Sequence, residues 1–228
     1  MRTTIPLLLL VLPLLAGAHG NCKYALDYTE TLLVTDPVER IEIKVDLGLV
    51  DAVAYERDGV FVKRHTFGFQ SNLGAADYGV EDGVMHFEAH CRREGQCDWE
   101  HILELPPGVD LDIDMLVGDC DLGRTDGEIT VHLGEGFFRG VRLASPRVTV
   151  KVGEGDVDLD HAAAPELVDV EIDDGAAALA VPPGAYRCDL VADDGEVEIT
   201  GVECDDTATA ELAVHVRRGD IVVTAAEP

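Results

Sequence analysis

The chain has 228 residues, of which 45 are acidic and 17 are basic, and its formal net charge is −28 at pH 7. Such a charge argues against a DNA- or RNA-binding protein, because contacts to phosphate groups need clustered lysine and arginine side chains. It favours solubility and suits cations, basic partners or high salt. The length allows one or two domains, and all-β domains of this size are often single.

Residues 1–20 have the pattern of a secretory signal peptide. Arg2 gives a positive start, and residues 5–15 form an apolar run that is too short to span a bilayer. Small residues after this run offer cleavage sites. A retained membrane anchor and a lipid-modified Cys22 are the alternatives, although the asparagine directly before that cysteine fits a lipid-attachment signal poorly. We therefore expect an exported protein, in the periplasm, on the cell surface or outside the cell, with no transmembrane segment in its mature chain.

A short phrase recurs along the rest of the chain. Three alternating apolar residues are followed by two residues of any kind, a glycine, and an alternation of acidic and apolar residues. The first instance surrounds Gly48, and later instances follow at intervals of about twenty residues over most of the chain. Their central glycines are Gly118, Gly136, Gly155, Gly175, Gly195 and Gly219. Repetition at such a period is typical of stacked repeat architectures.

The phase of this repeat indicates a corner at each glycine. Apolar residues lie seven, five and three positions before the glycine and two and four positions after it. This slip of one residue keeps the apolar set on one side only if the glycine forms a corner or a bulge. Each unit is then two short strands with one buried face, which only stacking can complete. We predict an elongated all-β solenoid of coils of about twenty residues; an antiparallel β-sandwich or meander is the alternative, because the same alternation would serve it.

The section from residue 55 to residue 100 is less regular than the rest. It contains one instance of the phrase around Gly83 in the same register. Three phenylalanines, Phe61, Phe67 and Phe69, cluster nearby, and we expect them to cap the apolar end of the stack, as terminal repeats require. We predict that residues 21–228 form a single domain that includes this section.

Export makes the six cysteines candidates for disulfide bonds rather than for metal binding. One pair brackets a short loop, a second pair is separated by about one repeat so that neighbouring coils would bring it together, and the third pair remains by elimination. These pairs are Cys91–Cys97, Cys188–Cys204 and Cys22–Cys120, respectively.

Pairs of carboxylates occupy outward positions of several coils. Equivalent positions in a parallel stack lie about 4.8 Å apart, so that carboxylates directly opposite one another would repel. Bound calcium would relieve this repulsion, whereas a solvated face whose charges spread over different coils needs no ion. We favour the solvated face. The candidate calcium ligands are Asp119, Asp121, Asp156 and Asp158.

No catalytic motif emerges from the sequence. Neither serine, Ser71 or Ser145, lies in a Gly-x-Ser-x-Gly motif, and there is no phosphate-binding loop or His-Glu-x-x-His motif. A polysaccharide lyase is the enzyme alternative; it would need calcium ligands beside a basic residue, for which Arg139 and Lys151 are the outward candidates. We expect no catalytic activity and no cofactor.

Several Gly-Asp-Val-like phrases carry a family resemblance. They are Gly155-Asp156-Val157-Asp158-Leu159, Gly195-Glu196-Val197-Glu198-Ile199 and Gly219-Asp220-Ile221-Val222-Val223. Together with the Leu105-Pro106-Pro107-Gly108 element, they resemble the putative-adhesin β-strand repeat family of bacterial proteins over most of residues 38–228. The chain departs from that pattern in its cysteines and in the loss of the acidic residue after Gly136 and Gly175.

The resemblance implies a β-helical protein of the bacterial envelope or the extracellular space, and it supplies no catalytic residues. We therefore expect an exported structural or adhesion-type binding protein. Its ligand would be an unidentified protein or glycan.

Overall fold

The computed structural model describes residues 25–69, 73–91 and 97–226, and all its regular elements there are β-strands. The all-β prediction is confirmed, whereas the predictions for residues 1–20 and for Cys22 lie outside the described residues. The strands are β1 (Ala25–Val34), β2 (Arg40–Ala54), β3 (Val60–Phe69), β4 (Leu73–Glu81), β5 (Val84–Cys91), β6 (Cys97–Leu105), β7 (Asp110–Gly123), β8 (Ile129–Glu135), β9 (Phe138–Leu143), β10 (Arg147–Glu154), β11 (Val157–His161), β12 (Leu167–Asp174), β13 (Ala177–Val181), β14 (Ala185–Asp194), β15 (Val197–Thr200), β16 (Glu203–Cys204), β17 (Glu211–Arg218) and β18 (Ile221–Ala225).

Most strands pair in parallel and form two adjoining stacks within one sheet. The first stack runs β5, β2, β7, β8, β10, β12, β17, β14 in space. The second stack runs β6, β2, β7, β9, β11, β13, β18, β15. The long strands β2 and β7 contribute to both. Each coil thus gives one segment to each stack, which confirms the β-solenoid rather than the antiparallel sandwich.

The coils do not follow chain order at either end of the solenoid. The β2 coil lies between the β5–β6 coil and the β7 coil. At the opposite end, the β17–β18 coil lies between the β12–β13 coil and the β14–β15 coil. The coil that terminates the stack is therefore β14–β15, which precedes β17–β18 in the sequence.

A ladder of glycines forms the corner between the two stacks. Gly118 and Gly136 have φ angles of 142° and 140°, a backbone conformation that side chains disfavour. A Cβ atom on Gly136 would overlap the carbonyl oxygen of Gly118, and a Cβ on Gly118 would overlap that of Gly48. The same close approach continues through Gly155, Gly175, Gly219 and Gly195. The predicted phase-shifting corner is therefore confirmed, and its glycines are required by close packing of successive backbones.

The core follows the predicted alternation. In the β10–β11 coil, Val148, Val150 and Val152 before the corner and Val157 and Leu159 after it are all buried. Equivalent residues of the neighbouring coils stack on them, so that the interior is a continuous apolar column. Burial of each such side chain stabilises the fold by about 1.5–3 kcal/mol, which a single coil could not obtain alone.

The section between residues 55 and 100 forms one irregular coil, β5–β6, and antiparallel strands that cap it. Strand β3 pairs antiparallel with β1 and β6, and β4 pairs antiparallel with β5. The prediction of a repeat centred on Gly83 was wrong. Asp82 and Gly83 both have positive φ, at 51° and 80°, and they form the tight turn of the β4–β5 hairpin. An Asp-Gly pair favours such a turn, because its twist matches that of the two strands.

The interior of this cap is built around a buried arginine. Arg64 is only 6% exposed and pairs with Glu30 on β1. Its guanidinium carbon lies 5.7 Å from the ring centres of both Tyr78 and Trp99. Phe67, which we expected in the cap, lies half exposed on the outer side of β3. The capping aromatic residues are therefore mainly those of β4 and β6.

Candidate functional site

The pairing of the first stack is interrupted two residues before each corner glycine. Val152 pairs with Leu133, and Glu154 pairs with Glu135, but the intervening Gly153 is left out of the register. The same omission recurs in the pairings of β2 with β7, β7 with β8, β10 with β12, and β14 with β17. The sheet therefore carries a crease that crosses the coils parallel to the glycine corner.

The floor of the crease is bare backbone where two successive coils carry glycine. A Cβ on Gly153 would lie 2.5 Å from the carbonyl oxygen of Gly134, and a Cβ on Gly134 would overlap the carbonyl oxygen of Leu116. Side chains are therefore excluded from the floor. The resulting open groove has a volume of about 640 Å³. Its walls come from β5, β2, β7, β8, β10, β12 and β17, so an extended ligand could contact seven successive strands.

One wall of the groove is a row of charged and imidazole side chains, four residues before each corner glycine. The strand register places these residues side by side. In spatial order they are Lys44, Asp114, His132, Lys151, Glu171 and His215. Neighbours in such a row are about 4.8 Å apart, and pairs of opposite charge across adjacent strands are favourable. In this acidic chain, the groove brings positive and negative groups together.

Some charged side chains of this wall form ion pairs with one another, whereas those toward β2 do not. The Nζ of Lys151 lies 2.8 Å from Oε2 of Glu171, and this hydrogen bond raises the pKa of the lysine. Toward β2, the side chains of Lys44, Asp114 and His132 form no ion pair with any described residue. Their hydrogen-bonding groups therefore remain available to a ligand.

Further side-chain contacts lie at the two ends of the groove. At the β2 end, Nδ1 of His90 lies 3.1 Å from Oδ1 of Asp46. At the β17 end, Nε of Arg217 lies 3.2 Å from Oδ1 of Asp173. Between these ends, Leu116 is 53% exposed beside the glycine floor. The groove thus combines an apolar contact, a bare backbone floor and polar walls.

The calcium candidates lie on the second stack, and two of them have a structural partner. Oδ1 of Asp119 accepts a hydrogen bond from the backbone N–H of Phe137 at 3.0 Å. Oδ1 of Asp156 accepts one from the N–H of Ala176 at 2.8 Å. The aspartate after the corner glycine therefore ties its coil to the next one. The coils of Gly136 and Gly175, which lack that aspartate, supply the backbone donors.

The other two calcium candidates are separated by a cation. Asp121 and Asp158 lie on either side of Arg139 in the register of the second stack. Hence the four aspartates do not converge on one point. In the described part of the chain, no group of three or more His, Cys, Asp or Glu side chains is arranged to hold a metal ion. The calcium hypothesis stays a prediction.

The two basic residues considered for a lyase are not brought together. Lys151 lies on β10 in the groove, whereas Arg139 lies on β9 in the second stack. The groove itself was not predicted from the sequence. The sequence feature that could have indicated the groove is a second glycine, Gly134 or Gly153, which lies two residues before the corner glycine in each of two consecutive coils.

The structure contains two of the three predicted disulfide pairs. Cys91 is bonded to Cys97, and Cys188 is bonded to Cys204. Cys120 is fully buried, and this burial raises the pKa of its thiol. Its predicted partner, Cys22, lies outside the described residues, so that pair stays a prediction.

Comparison with known proteins relates the chain to adhesins by fold. No family model matches the chain, and no curated protein is similar to it in sequence. Its described residues contain no helix that is long and apolar enough to cross a membrane. A putative cell adhesion protein from Clostridium sporogenes is similar in structure, with a TM-score of 0.52, 15% identity, and coverage of 87% of this chain and 99% of that one. A putative adhesin from Bacteroides fragilis gives a TM-score of 0.34 and 9% identity over 90% of this chain and 98% of its own. The fold of this chain is therefore similar to that of a solved protein with an adhesin-type description, as the repeated phrases suggested.

Proposed function

We propose that this protein is an exported, non-catalytic binding module of the cell envelope, and that it holds an extended glycan in the groove of the first stack. The observation that carries the proposal is the groove itself. It crosses seven strands, its floor is bare backbone at Gly134 and Gly153, and polar side chains line it. An extended chain could lie along this floor at right angles to the strands.

The side chains of the groove suit hydroxyl groups. Lys44 and Asp114 are neighbours in the register and have no ion-pair partner among the described residues. A lysine beside a carboxylate offers a donor and an acceptor to adjacent sugar hydroxyls, and hydrogen bonds to charged groups are the stronger kind. The exposed side chain of Leu116 supplies an apolar contact for the face of a sugar ring.

The net charge of the chain restricts the class of glycan that we expect in the groove. A chain with a formal charge of −28 repels polyanions at low salt, even where a few cations line one groove. Asp114, Glu171 and Asp173 in the groove also favour a neutral or cationic partner. We therefore propose a neutral glycan or one that contains amino sugars, rather than an acidic polysaccharide.

Different observations support the two other parts of the proposal, which are export and a role in adhesion. The signal-like pattern of residues 1–20 and the two disulfides both suit an oxidising, extracytoplasmic compartment. The adhesin-type description belongs to the C. sporogenes protein, and its fold supports a binding role for this chain.

The test is binding to a glycan array, followed by calorimetry on the best glycan. Lys44→Ala with His132→Ala, and separately Leu116→Asp, should each weaken binding about tenfold or more, because they remove hydrogen bonds and the apolar contact. Arg139→Ala is the matched control, since Arg139 is exposed on the second stack, and it should leave affinity unchanged. Binding that Arg139→Ala weakens and the groove variants spare would refute the proposed site.

A further inference from the structure

The β14–β15 coil leaves the apolar column open at one end of the solenoid. Val197 on β15 is 42% exposed, although its neighbour in register, Ile221, is 0% exposed. Ile199 is likewise 40% exposed beside Val223, which is 0% exposed. The inward side chains of this coil therefore have a partner on one side only.

The cap at this end is incomplete. The Cys188–Cys204 disulfide brings β16 against the start of β14, and the two strands pair at only Ala185 and Tyr186. Beyond these residues, β14 pairs only with β17, and β15 pairs only with β18, among the described residues. The opposite end differs, because antiparallel strands cover it. The free edge of β14 and β15 thus offers backbone N–H and C=O groups to another strand.

Three acidic residues along this edge are uncompensated. Glu196 just before β15, Glu198 on β15 and Asp189 on β14 form no ion pair with any described residue. Their neighbours in register include Val222 and Ala213, which bring no positive charge. A strand added here would place its own outward side chains about 4.8 Å from these carboxylates.

We propose that the open β14–β15 end binds an extended segment of a partner protein in which basic residues alternate with apolar ones. The apolar side chains of that segment would cover Val197 and Ile199, and its lysines or arginines would face Glu196 and Glu198. The backbone of the segment would continue the sheet by strand addition. This inference does not depend on the glycan groove.

Charge argues against a second copy of this chain as the occupant. Two copies that met at this end would oppose carboxylates with carboxylates, and each copy carries a net charge of −28. Opposed like charges at an interface are costly and favour other partners. Acidic residues at a sheet edge therefore suppress self-association while leaving the edge accessible to a cationic strand.

The direct test is fluorescence anisotropy with the full chain and a labelled peptide, Lys-Val-Lys-Ile-Lys-Val-Lys, capped at both ends. We expect binding that weakens as salt is raised. An otherwise identical peptide with glutamate in place of lysine should not bind. The lysine peptide with all its backbone nitrogens methylated should not bind either, because it cannot continue the sheet.

Substitutions in the protein test whether the peptide binds at the β14–β15 end. Glu198→Lys and Ile199→Lys should each weaken peptide binding about tenfold or more, the first by charge and the second by blocking the apolar contact. Asp158→Lys is the matched charge control, because Asp158 occupies the same outward row on β11, away from the end. Leu33→Lys, at an exposed apolar site on β1, is the control for added charge.

Three outcomes would overturn the inference. The first is equal binding of the lysine and glutamate peptides. The second is peptide affinity that Glu198→Lys and Ile199→Lys leave unchanged while the proteins keep their melting temperature. The third is a dimer in sedimentation experiments that Ile199→Lys dissociates, since the end would then belong to a second copy.

Discussion

The carboxylate of Asp156 accepts a hydrogen bond from the backbone N–H of Ala176 at 2.8 Å, and so links the corner of one coil to that of the next. Asp119 makes the same bond to Phe137, and Asp220 makes it to Glu196 at 2.9 Å. An aspartate after the corner glycine therefore serves two coils at once.

Asp156→Ala should lower the free energy of unfolding by about 1–2 kcal/mol, because a backbone N–H loses a charged acceptor. Asp158→Ala is the control, since its carboxylate makes no such bond, and we expect a change within about 0.5 kcal/mol. Urea denaturation measures both. Equal effects of the two substitutions would contradict the linking role of Asp156.

The calcium hypothesis can be separated from this role by thermal melts. We expect the same melting temperature with added calcium and with a chelator, because Asp119 and Asp156 already accept backbone hydrogen bonds. A chelator that lowers the melting temperature of the unmodified protein but not that of Asp156→Ala would instead establish a calcium site.

Gly136→Ala tests the corner ladder. The added methyl group would overlap the carbonyl oxygen of Gly118 at a φ of 140°, so we expect a loss of at least about 3 kcal/mol or failure to fold. Gly79→Ala is the matched control, because no atom lies within 4 Å of the added Cβ. Its stability should stay within about 1 kcal/mol of the unmodified protein. A Gly136→Ala protein as stable as this control would refute the close packing of the corner.

Two buried histidines should lower the free energy of unfolding at acid pH. In the described part of the chain, His101 and His161 have no hydrogen-bond partner, and desolvation lowers the pKa of each to about 4. In the unfolded chain they protonate near pH 6.5. The free energy that these neutral histidines contribute to folding stability is therefore fully present above about pH 6.5. It is lost as the pH falls to about 4, at roughly 1.4 kcal/mol per histidine and pH unit.

Chemical denaturation between pH 7.5 and pH 4 measures this slope, and His161→Leu should make it shallower. His132→Ala is the control, because that side chain is exposed on the groove wall. If His161→Leu left the slope unchanged, protonation of the buried imidazole would not account for the acid sensitivity.

The Cys188–Cys204 disulfide should stabilise the terminal coil. It closes a loop with a sequence separation of 16, for which loop-closure entropy predicts about 3 kcal/mol. Replacing both cysteines with alanine should therefore lower stability by about that amount. Amide exchange should accelerate first in β14 and β15, and acceleration that began in β10 instead would contradict the assignment.

The sequence predicted the coil and its corner because both depend on local rules. Alternation fixes which side chains face inward, and the one-residue slip at Gly155 or Gly219 has few solutions other than a corner. The hairpin at Gly83 was mistaken for a coil, because the same alternation serves antiparallel strands. The deciding evidence there was the Asp82-Gly83 pair, which is a strong turn signal.

The groove and the open end depend on which strands become neighbours, and periodicity does not encode this. The crease row contains Asp46, Leu116, Gly134, Gly153, Asp173 and Arg217, which are not of one residue type. Only the register shows that they form one line across the sheet. The exposure of Val197 likewise follows from the position of its coil at the end of the stack, although its sequence pattern matches that of buried coils.

The exchanged order of the last two coils has a consequence for biogenesis. In both stacks, the β14–β15 coil reaches the rest of the solenoid only through β17 and β18. A nascent chain that stopped before residue 211 would lack the strands on which the β14–β15 coil stacks, although that coil was already synthesised. The β14–β15 coil can therefore reach its observed place only after residues 211–225 have been synthesised.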